Sequence, residues 1–383
     1  MELLGKSREE LQAYCKRLGE PAYRGGQIYH ALYAERKFNV ASFTNLPAAL
    51  REKLRQEAAV SLPVVRQKYE SRDGSVRYLF GLSAGKEASA GIPKTAGMKP
   101  AAVEAVFMPS EGRQTICIST QAGCAVDCQF CLTAKLGLIR NLTAGEMLAQ
   151  VLLPLVEMGG KESAGKVEDA EGDGRSSSLA ARTNVVLMGQ GEPLLNFENV
   201  MAALRILLDA KGVGLSAKRV TLSTSGVVPG IARLGKEEVR PKLAISLNAS
   251  CDEQRDVLMP INKKYPLKVL MEACRRYPLR NWEHLTFEYV MLGGVNDKVE
   301  DARRVVKLLA ALDRVKVNLI PWNPGELPYK ESSAETINRF HQAWTDKGVP
   351  AFVRYSRGRD VMAACGQLAL VEVKSRPLSV IQY

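Results

Sequence analysis

Apolar positions recur at two different spacings along the chain, and the change of spacing divides it into regions. Over residues 1–62 they follow the helical period, and Ser7 with Glu10 matches a capping box at a helix start. Over residues 63–113 the pattern changes to short runs rich in β-branched and aromatic residues, such as 103–107, which is typical of hairpins. We therefore expect a small N-terminal helical domain followed by a β-hairpin extension.

From residue 114 onward, short apolar runs alternate with stretches of helical period. The predicted strands are 115–119, 184–188, 219–223, 243–247, 286–291, 316–320 and 351–355. The predicted helices include 143–158, 199–208, 299–312 and 334–346. Such alternation implies an α/β fold with a parallel sheet, here a full or partial barrel, whose site lies at the carboxyl ends of the strands. We expect the barrel over residues 114–355 and a C-terminal segment over residues 356–383.

Two segments depart from these strand and helix patterns. Residues 83–100 are rich in Gly, Ala, Lys and Pro, and we predict a mobile loop there. Residues 159–182 are rich in Gly, Ser, Glu and Lys, which predicts a disordered insertion in the barrel.

Composition narrows the classes of function. The 53 Lys and Arg exceed the 41 Asp and Glu, and the resulting charge of +12 suits a polyanion such as RNA, although many basic proteins bind none. No apolar run reaches the ~18 residues that would span a bilayer, and the N-terminus has no secretory signal pattern, so we expect a cytoplasmic protein without membrane contact. Eight cysteines in that setting favour metal or redox chemistry over a disulfide scaffold.

Three of the cysteines form one tight motif. Cys124, Cys128 and Cys131 follow a C-x3-C-x2-C spacing directly after the first predicted barrel strand. Three thiolates can hold an iron–sulfur cluster with one open iron, but a structural zinc completed by a distant Cys or His fits the spacing equally well. The position of the loop, where a barrel places its reactive centre, favours the cluster.

Polar groups follow several other predicted strands. Gly191 and Glu192 lie in a loop after the second strand, where glycine permits close approach of a ligand and the carboxylate can accept from an ammonium, although a tight βα turn explains the loop as well. The remaining groups are individually weak but together suit a barrel mouth that binds a sugar and an amino acid. They are Ser223, Ser246, Leu247, Asn248 and Asn323.

At this point the sequence resembles the RlmN/Cfr group of radical S-adenosylmethionine (SAM) RNA adenine methyltransferases. The resemblance covers almost the whole chain and is carried, besides the cysteine loop, by residues 22–27, 140–143, 188–194, 223–229, 260–265, 320–324 and 360–368. It implies a partial (β/α)6-type radical SAM barrel, a 4Fe–4S cluster and two SAM molecules per turnover.

The resemblance also implies a role for each candidate residue. Cys124, Cys128 and Cys131 are the implied cluster ligands, with SAM at the open iron. The implied SAM contacts are Gly191, Glu192, Ser223, Ser246, Leu247, Asn248 and Asn323, where Asn248 stands in place of a histidine that some members have.

Three further residues receive catalytic roles that spacing alone does not reveal. Cys365 is implied to carry the methyl group as S-methylcysteine, and Cys117 to resolve the enzyme–RNA adduct, leaving a transient Cys117–Cys365 disulfide. Glu104 is implied to accept the ring proton. Without the resemblance, the two cysteines would be interpreted as packing residues and Glu104 as a solvated strand residue.

The implied substrates are an adenosine in the peptidyl-transferase region of 23S rRNA and the adenosine 3′ of the anticodon in tRNA, both methylated at C2. We expect an external flavodoxin-type electron donor and a monomeric enzyme. Two alternatives remain open from the sequence. One is methylation at C8, as in the antibiotic-resistance branch, and the other is a non-enzymatic RNA-binding protein with a structural zinc.

Overall fold

The structure is a computed structural model that describes residues 1–82, 101–164 and 182–370, with side chains described outside 159–164. Helices α1–α10 run over Arg8–Arg17, Tyr23–Tyr33, Ala48–Glu57, Ala144–Ala164, Phe197–Leu208, Val228–Leu234, Asp252–Leu258, Leu267–Arg276, Val299–Leu309 and Ala334–Thr345. Strands β1–β12 run over Val64–Glu70, Val76–Gly81, Ala102–Ser110, Arg113–Cys117, Gln121–Gly123, Leu138–Asn141, Thr183–Leu187, Val220–Thr224, Lys242–Ser246, Leu285–Met291, Val315–Pro321 and Ala351–Val353.

Ten of these strands form one sheet in the order β1-β2-β3-β4-β7-β8-β9-β10-β11-β12. From β4 through β7 to β12 the strands pair parallel with one another, and the helices between them make the crossovers that parallel pairing requires. Among the described strands β1 and β12 are not neighbours, so the barrel is open. The predicted α/β partial barrel is confirmed.

The hairpin strands β1–β3 extend the barrel sheet instead of forming a separate layer. They pair antiparallel with one another, and β3 pairs antiparallel with β4, with Val106 opposite Cys117. The extension therefore lies against the first barrel strand, next to one of the two cysteines to which the resemblance gives a catalytic role.

The core lies between the sheet and its helices. Helix α4 buries Met147, Leu148, Val151, Leu152 and Leu155, which is the stripe of a helix that packs against a sheet. Each such side chain contributes about 1.5–3 kcal/mol when it is fully buried.

The N-terminal region contacts the barrel through a close backbone approach at Gly5 and a hydrogen bond from Tyr29. At the start of α1 the predicted capping box is present, since Glu10 N donates to Ser7 Oγ at 3.2 Å and Ser7 N donates to Glu10 Oε2 at 2.8 Å. The Tyr29 hydroxyl donates to Asp209 Oδ2 at the end of α5 at 2.9 Å. Gly5 packs so tightly on Gly145 that a Cβ would lie 2.5 Å from the Gly145 nitrogen.

The predicted barrel strands each agree with the structure to within two residues at either end. Helices α6 and α7, of seven residues each, and α8 are further to the helices named from the sequence. The helix predicted over 143–158 continues to Ala164, into the first six residues of the segment 159–182 for which the sequence predicts disorder. Three segments lie outside the described residues: the predicted loop 83–100, residues 165–181 and residues 371–383.

Candidate active site

The cysteine loop is held in place by main-chain hydrogen bonds on both sides. It lies between the paired strands β5 and β6, where Cys124 N donates to Gly137 O at 2.9 Å, and Gln129 N donates to Leu258 O at 3.0 Å. Gly123 has a φ of +74°, and a Cβ there would lie 1.7 Å from Gly137 O, so only glycine fits this entry to the loop.

The three thiols line one wall of a central cavity of about 160 Å³. The cavity opens at the carboxyl ends of the barrel strands, as the alternation of elements predicted. The structure brings most of the predicted site residues to its walls: Cys124, Cys128, Cys131, Gly191, Glu192, Ser223, Ser246, Asn248, Asn323 and Cys365.

The donor set at the cysteine loop fits an iron–sulfur cluster. An apolar shell of Phe130, Met259 and Trp322 surrounds the thiols. Burial raises the pKa of Cys124 to about 12, so the thiolates that ligation requires need the charge of a metal centre. No three His, Cys, Asp or Glu side chains of the described ranges converge on one metal ion, and a cubane requires no such convergence, since each thiolate binds a different iron.

Glu192 is turned toward the protein rather than into open space. Its carboxylate accepts from Ser225 N and Ser225 Oγ, both at 2.7 Å, and from Leu194 N at 3.1 Å. Burial raises its pKa, and the Ser225 bonds oppose that shift. Gly191 has a φ of +100° and lies against Gln121, which explains the glycine in this turn.

Of the predicted SAM contacts, Leu247 is the one that the structure does not bring to the cavity. Its side chain is fully buried in the core, and its N–H and carbonyl bond to Glu288 O and Arg255 Nε. Asn248 lines the cavity with a left-handed φ of +56°, and its Oδ1 accepts from Val290 N at 2.8 Å. This asparagine therefore joins the ends of two neighbouring strands as well as facing the cavity.

A second cavity, of about 330 Å³, adjoins the first and is lined by both Cys117 and Cys365. The two cavities share Cys131 and Cys365 among their lining residues. Each of the eight cysteines is described, and each is a free thiol, so the predicted Cys117–Cys365 disulfide is absent from this state.

The two thiols of the second cavity differ in access. Cys117 is buried, whereas Cys365 is open to the cavity. Burial raises the pKa of both thiols, that of Cys365 to about 11, and the Cys365 thiol adds to the shift at Cys117. The Cys365 loop is held because Asn323 Nδ2 donates to Cys365 O at 3.1 Å and Leu132 N donates to Gly366 O at 2.8 Å.

Glu104 lines neither cavity. It forms a buried ion pair with Arg77, whose Nη1 lies 2.7 Å from Glu104 Oε1, and Oε2 accepts from Leu370 N at 3.0 Å. Burial raises the pKa of Glu104, and Arg77 opposes that shift. In this conformation Arg77 and Leu370 therefore hold the carboxylate away from the two thiols.

Glu288 is a cavity residue that the sequence analysis missed. It lies on β10, between Phe287 and Tyr289, and its Oε2 accepts from Ser223 Oγ at 3.0 Å. Burial raises its pKa, and its charge raises the pKa of Cys365. The signal in the sequence was a single carboxylate inside an otherwise apolar strand, which is costly to bury unless the site uses it.

We expect Glu288→Gln to lower the pKa of Cys365, because a nearby negative charge opposes formation of the thiolate. In the reconstituted enzyme, alkylation of Cys365 by iodoacetamide at about pH 8 should then accelerate by about threefold or more. Peptide mass spectrometry across a pH series measures this rate. An alkylation profile identical to that of the unchanged protein would contradict the coupling.

Comparison with known proteins identifies two family models in the chain. Residues 1–60 match the ribosomal RNA large subunit methyltransferase N-terminal domain, and residues 118–308 match the radical SAM superfamily. Among solved structures, a radical SAM methyltransferase from Sphaerobacter thermophilus superposes with a TM-score of 0.83 at 39% identity, covering 96% of this chain and 99% of that one.

Curated relatives match over nearly the full length. A probable dual-specificity RNA methyltransferase RlmN from Koribacter versatilis is 48% identical over 375 residues, or 94% of this chain and 99% of the relative. The dual-specificity RNA methyltransferase RlmN from Parvibaculum lavamentivorans is 44% identical over 380 residues, covering 98% and 90%.

Proposed function

The chain belongs to the RlmN family of radical SAM RNA methyltransferases, and from this premise we propose that it methylates adenine C2 in two RNAs. The substrates are the peptidyl-transferase region of 23S rRNA and the adenosine 3′ of the anticodon in tRNA. The observation that carries the proposal is that the three-cysteine cavity adjoins the cavity that holds Cys117 and Cys365. Because the chain belongs to this family of enzymes, the alternative of a non-enzymatic RNA-binding protein with a structural zinc is excluded.

The cofactors are a 4Fe–4S cluster and SAM. We assign the cluster to Cys124, Cys128 and Cys131, and SAM to the polar wall made by Ser223, Ser246, Asn248 and their neighbours. When bound, these cofactors supply a methyl group and a reductively generated radical. A polar displacement would fail at adenine C2, because that electron-poor carbon has no lone pair to attack a methyl sulfonium.

We assign the methyl group to Cys365. Its sulfur is accessible from the cavity, and Asn323 and Leu132 fix its backbone. Cys117 lies in the wall of the same cavity, on the strand next to the extension, where it can attack the Cys365 sulfur and release methylated RNA. This attack forms the transient disulfide that the sequence analysis predicted.

The role of Glu104 as proton acceptor stays part of the proposal. For Glu104 to reach an adenine in the second cavity, the Leu370 contact must first be released, because Leu370 N holds one of its carboxylate oxygens. The Arg77 pair opposes the effect of burial, which raises the pKa of this carboxylate, because the guanidinium favours the charged form.

The rim of the second cavity suits an unstacked base. Tyr355 is 63% exposed there and Arg354 lies beside it, so a ring for stacking and a cation for phosphate are both available. RNA is the partner, and we assign the electron to an external flavodoxin-type donor. We further propose a cytoplasmic monomer. No helix in the described part of the chain is long and apolar enough to cross a membrane.

The test is nucleoside mass spectrometry of rRNA and tRNA transcripts after anaerobic incubation with reconstituted protein, SAM and dithionite. We expect 2-methyladenosine in both transcripts. The appearance of 8-methyladenosine would instead move the enzyme to the resistance branch. If cluster assembly and SAM cleavage are verified and no methylated adenosine forms, the proposed function is wrong.

A further inference from the structure

The cysteine loop has an outer face that lines a groove on the surface of the barrel. From the loop, Ala125, Val126 and Asp127 line this groove, and the opposite side is formed by Leu195, Val227, Pro260, Ile261, Lys264 and Tyr265. Val126 also lines the central cavity, together with Cys124 and Cys128. A single layer of chain therefore separates the groove from the thiols assigned to the cluster.

This groove, which we call the loop groove, shares none of its lining residues with the cavity of Cys117 and Cys365, the cavity to which we assign the RNA base. The central cavity, in contrast, shares lining residues with both. A partner in the loop groove would consequently leave the RNA side open.

The loop groove has an apolar centre and a basic edge. Leu195 is 45% exposed, and Tyr265 and Ile261 lie across from it. Lys263 and Lys264 are both exposed, and neither forms an ion pair with any residue in the described ranges. Lys264 and Asp127 are the two charged residues of the described lining, and the exposed Lys263, which precedes Lys264 in the chain, adds a further positive charge beside it. The whole chain carries a net charge of +12.

We propose that the loop groove is the docking surface for the electron donor, an acidic protein that carries one electron at a time, of the flavodoxin type. The inference rests on the proposed function, which requires a reduced cluster. One electron leaves the reduced carrier and enters the cluster, and no bond is made or broken. Because electron transfer slows steeply with distance, the donor must approach the thin wall at Ala125–Asp127. Transient redox partners use small interfaces of this kind, with charge governing the rate of encounter.

The test compares two reductants on the reconstituted enzyme. The charge-reversal variant Lys263→Glu/Lys264→Glu should be reduced by flavodoxin at least about tenfold more slowly at low salt, because two attractive charges become repulsive. Bleaching of the visible cluster absorbance in stopped flow measures this rate. Dithionite needs no docking surface, so reduction and methylation with dithionite should stay unchanged. The matched control is Lys307→Glu/Lys347→Glu, the same charge change on exposed lysines outside the groove.

Two results would overturn the docking assignment. In one, flavodoxin reduces the variant as fast as it reduces the matched control. In the other, methylation with dithionite falls as much as methylation with flavodoxin, which assigns the lysines to RNA. The proposed function is tested by a different result: it is wrong if the unchanged protein forms no methyladenosine with dithionite. In that case the rates of cluster reduction by flavodoxin still test the docking surface.

Discussion

Cys365→Ala is expected to abolish RNA methylation, by more than about 10³-fold, while the cluster still assembles and SAM is still cleaved. The reason is that the thiol is the covalent carrier of the methyl group, and no neighbouring side chain can replace a missing nucleophile. Because the Cys365 side chain faces the cavity and not the core, alanine leaves little unfilled volume. The measurements are nucleoside mass spectrometry of the RNA and peptide mass spectrometry for a methylated cysteine.

A matched control comes from the same chain. Cys251→Ala removes a partly exposed thiol that lines neither the central nor the second cavity, so methylation should persist. Detection of 2-methyladenosine from Cys365→Ala at the rate of this control would show that the methyl group travels by another route.

Cys117→Ala is expected to stop turnover at a later stage, with the RNA covalently attached to the protein. Without Cys117, the other cysteine beside Cys365 in the described lining of the second cavity is Cys131, which we assign to the cluster, so no free thiol attacks the Cys365 sulfur and the adduct persists. A slowly migrating protein–RNA species on denaturing gels and its intact mass measure this outcome. Cys117 is buried against Val106 and Leu368, so its truncation leaves a small cavity with a cost of about 1 kcal/mol, which thermal unfolding can check.

The double variant Cys117→Ala/Cys365→Ala separates the two roles. It should form no adduct, because the carbon that joins enzyme to RNA is carried by Cys365. If Cys117→Ala releases free methylated RNA at the normal rate, Cys117 is a packing residue, as its place in an apolar strand suggested before the family resemblance was considered.

The extension strands explain how the C-terminal segment reaches this site. Ser71 Oγ donates to Asp360 Oδ1 at 2.5 Å, and Gly358 N donates to Asp73 Oδ2 at 2.8 Å, so the β1–β2 turn holds the segment just before Cys365. Although burial acts to raise it, the hydrogen bonds from Ser75 and Gly358 lower the pKa of Asp73 to about 2. The hairpin extension thus has a structural role in placing the methyl carrier.

Much of the architecture and part of the site could be predicted from the sequence, because both depend on the spacing of residues that are close together in the chain. The alternation of apolar runs and helical periods located the barrel strands to within two residues, and Ser7 with Glu10 marked the first helix start. The spacing of Cys124, Cys128 and Cys131 defined a ligand loop, since all three ligands come from one turn of chain. Family resemblance then supplied roles that no spacing contains.

Only the tertiary structure decided which distant residues meet. Sheet order and the return of the C-terminal segment place Cys117 and Cys365 in one cavity, while Arg77 and Leu370 hold Glu104 outside it. The tertiary structure also placed Glu288, whose signal in the sequence was a single carboxylate in an apolar strand, in the central cavity. It formed the loop groove behind the cysteines as well, which no sequence pattern marks. The physical reason is that local periodicity fixes the faces of a helix or strand, whereas contacts between elements depend on how the whole sheet is ordered and packed.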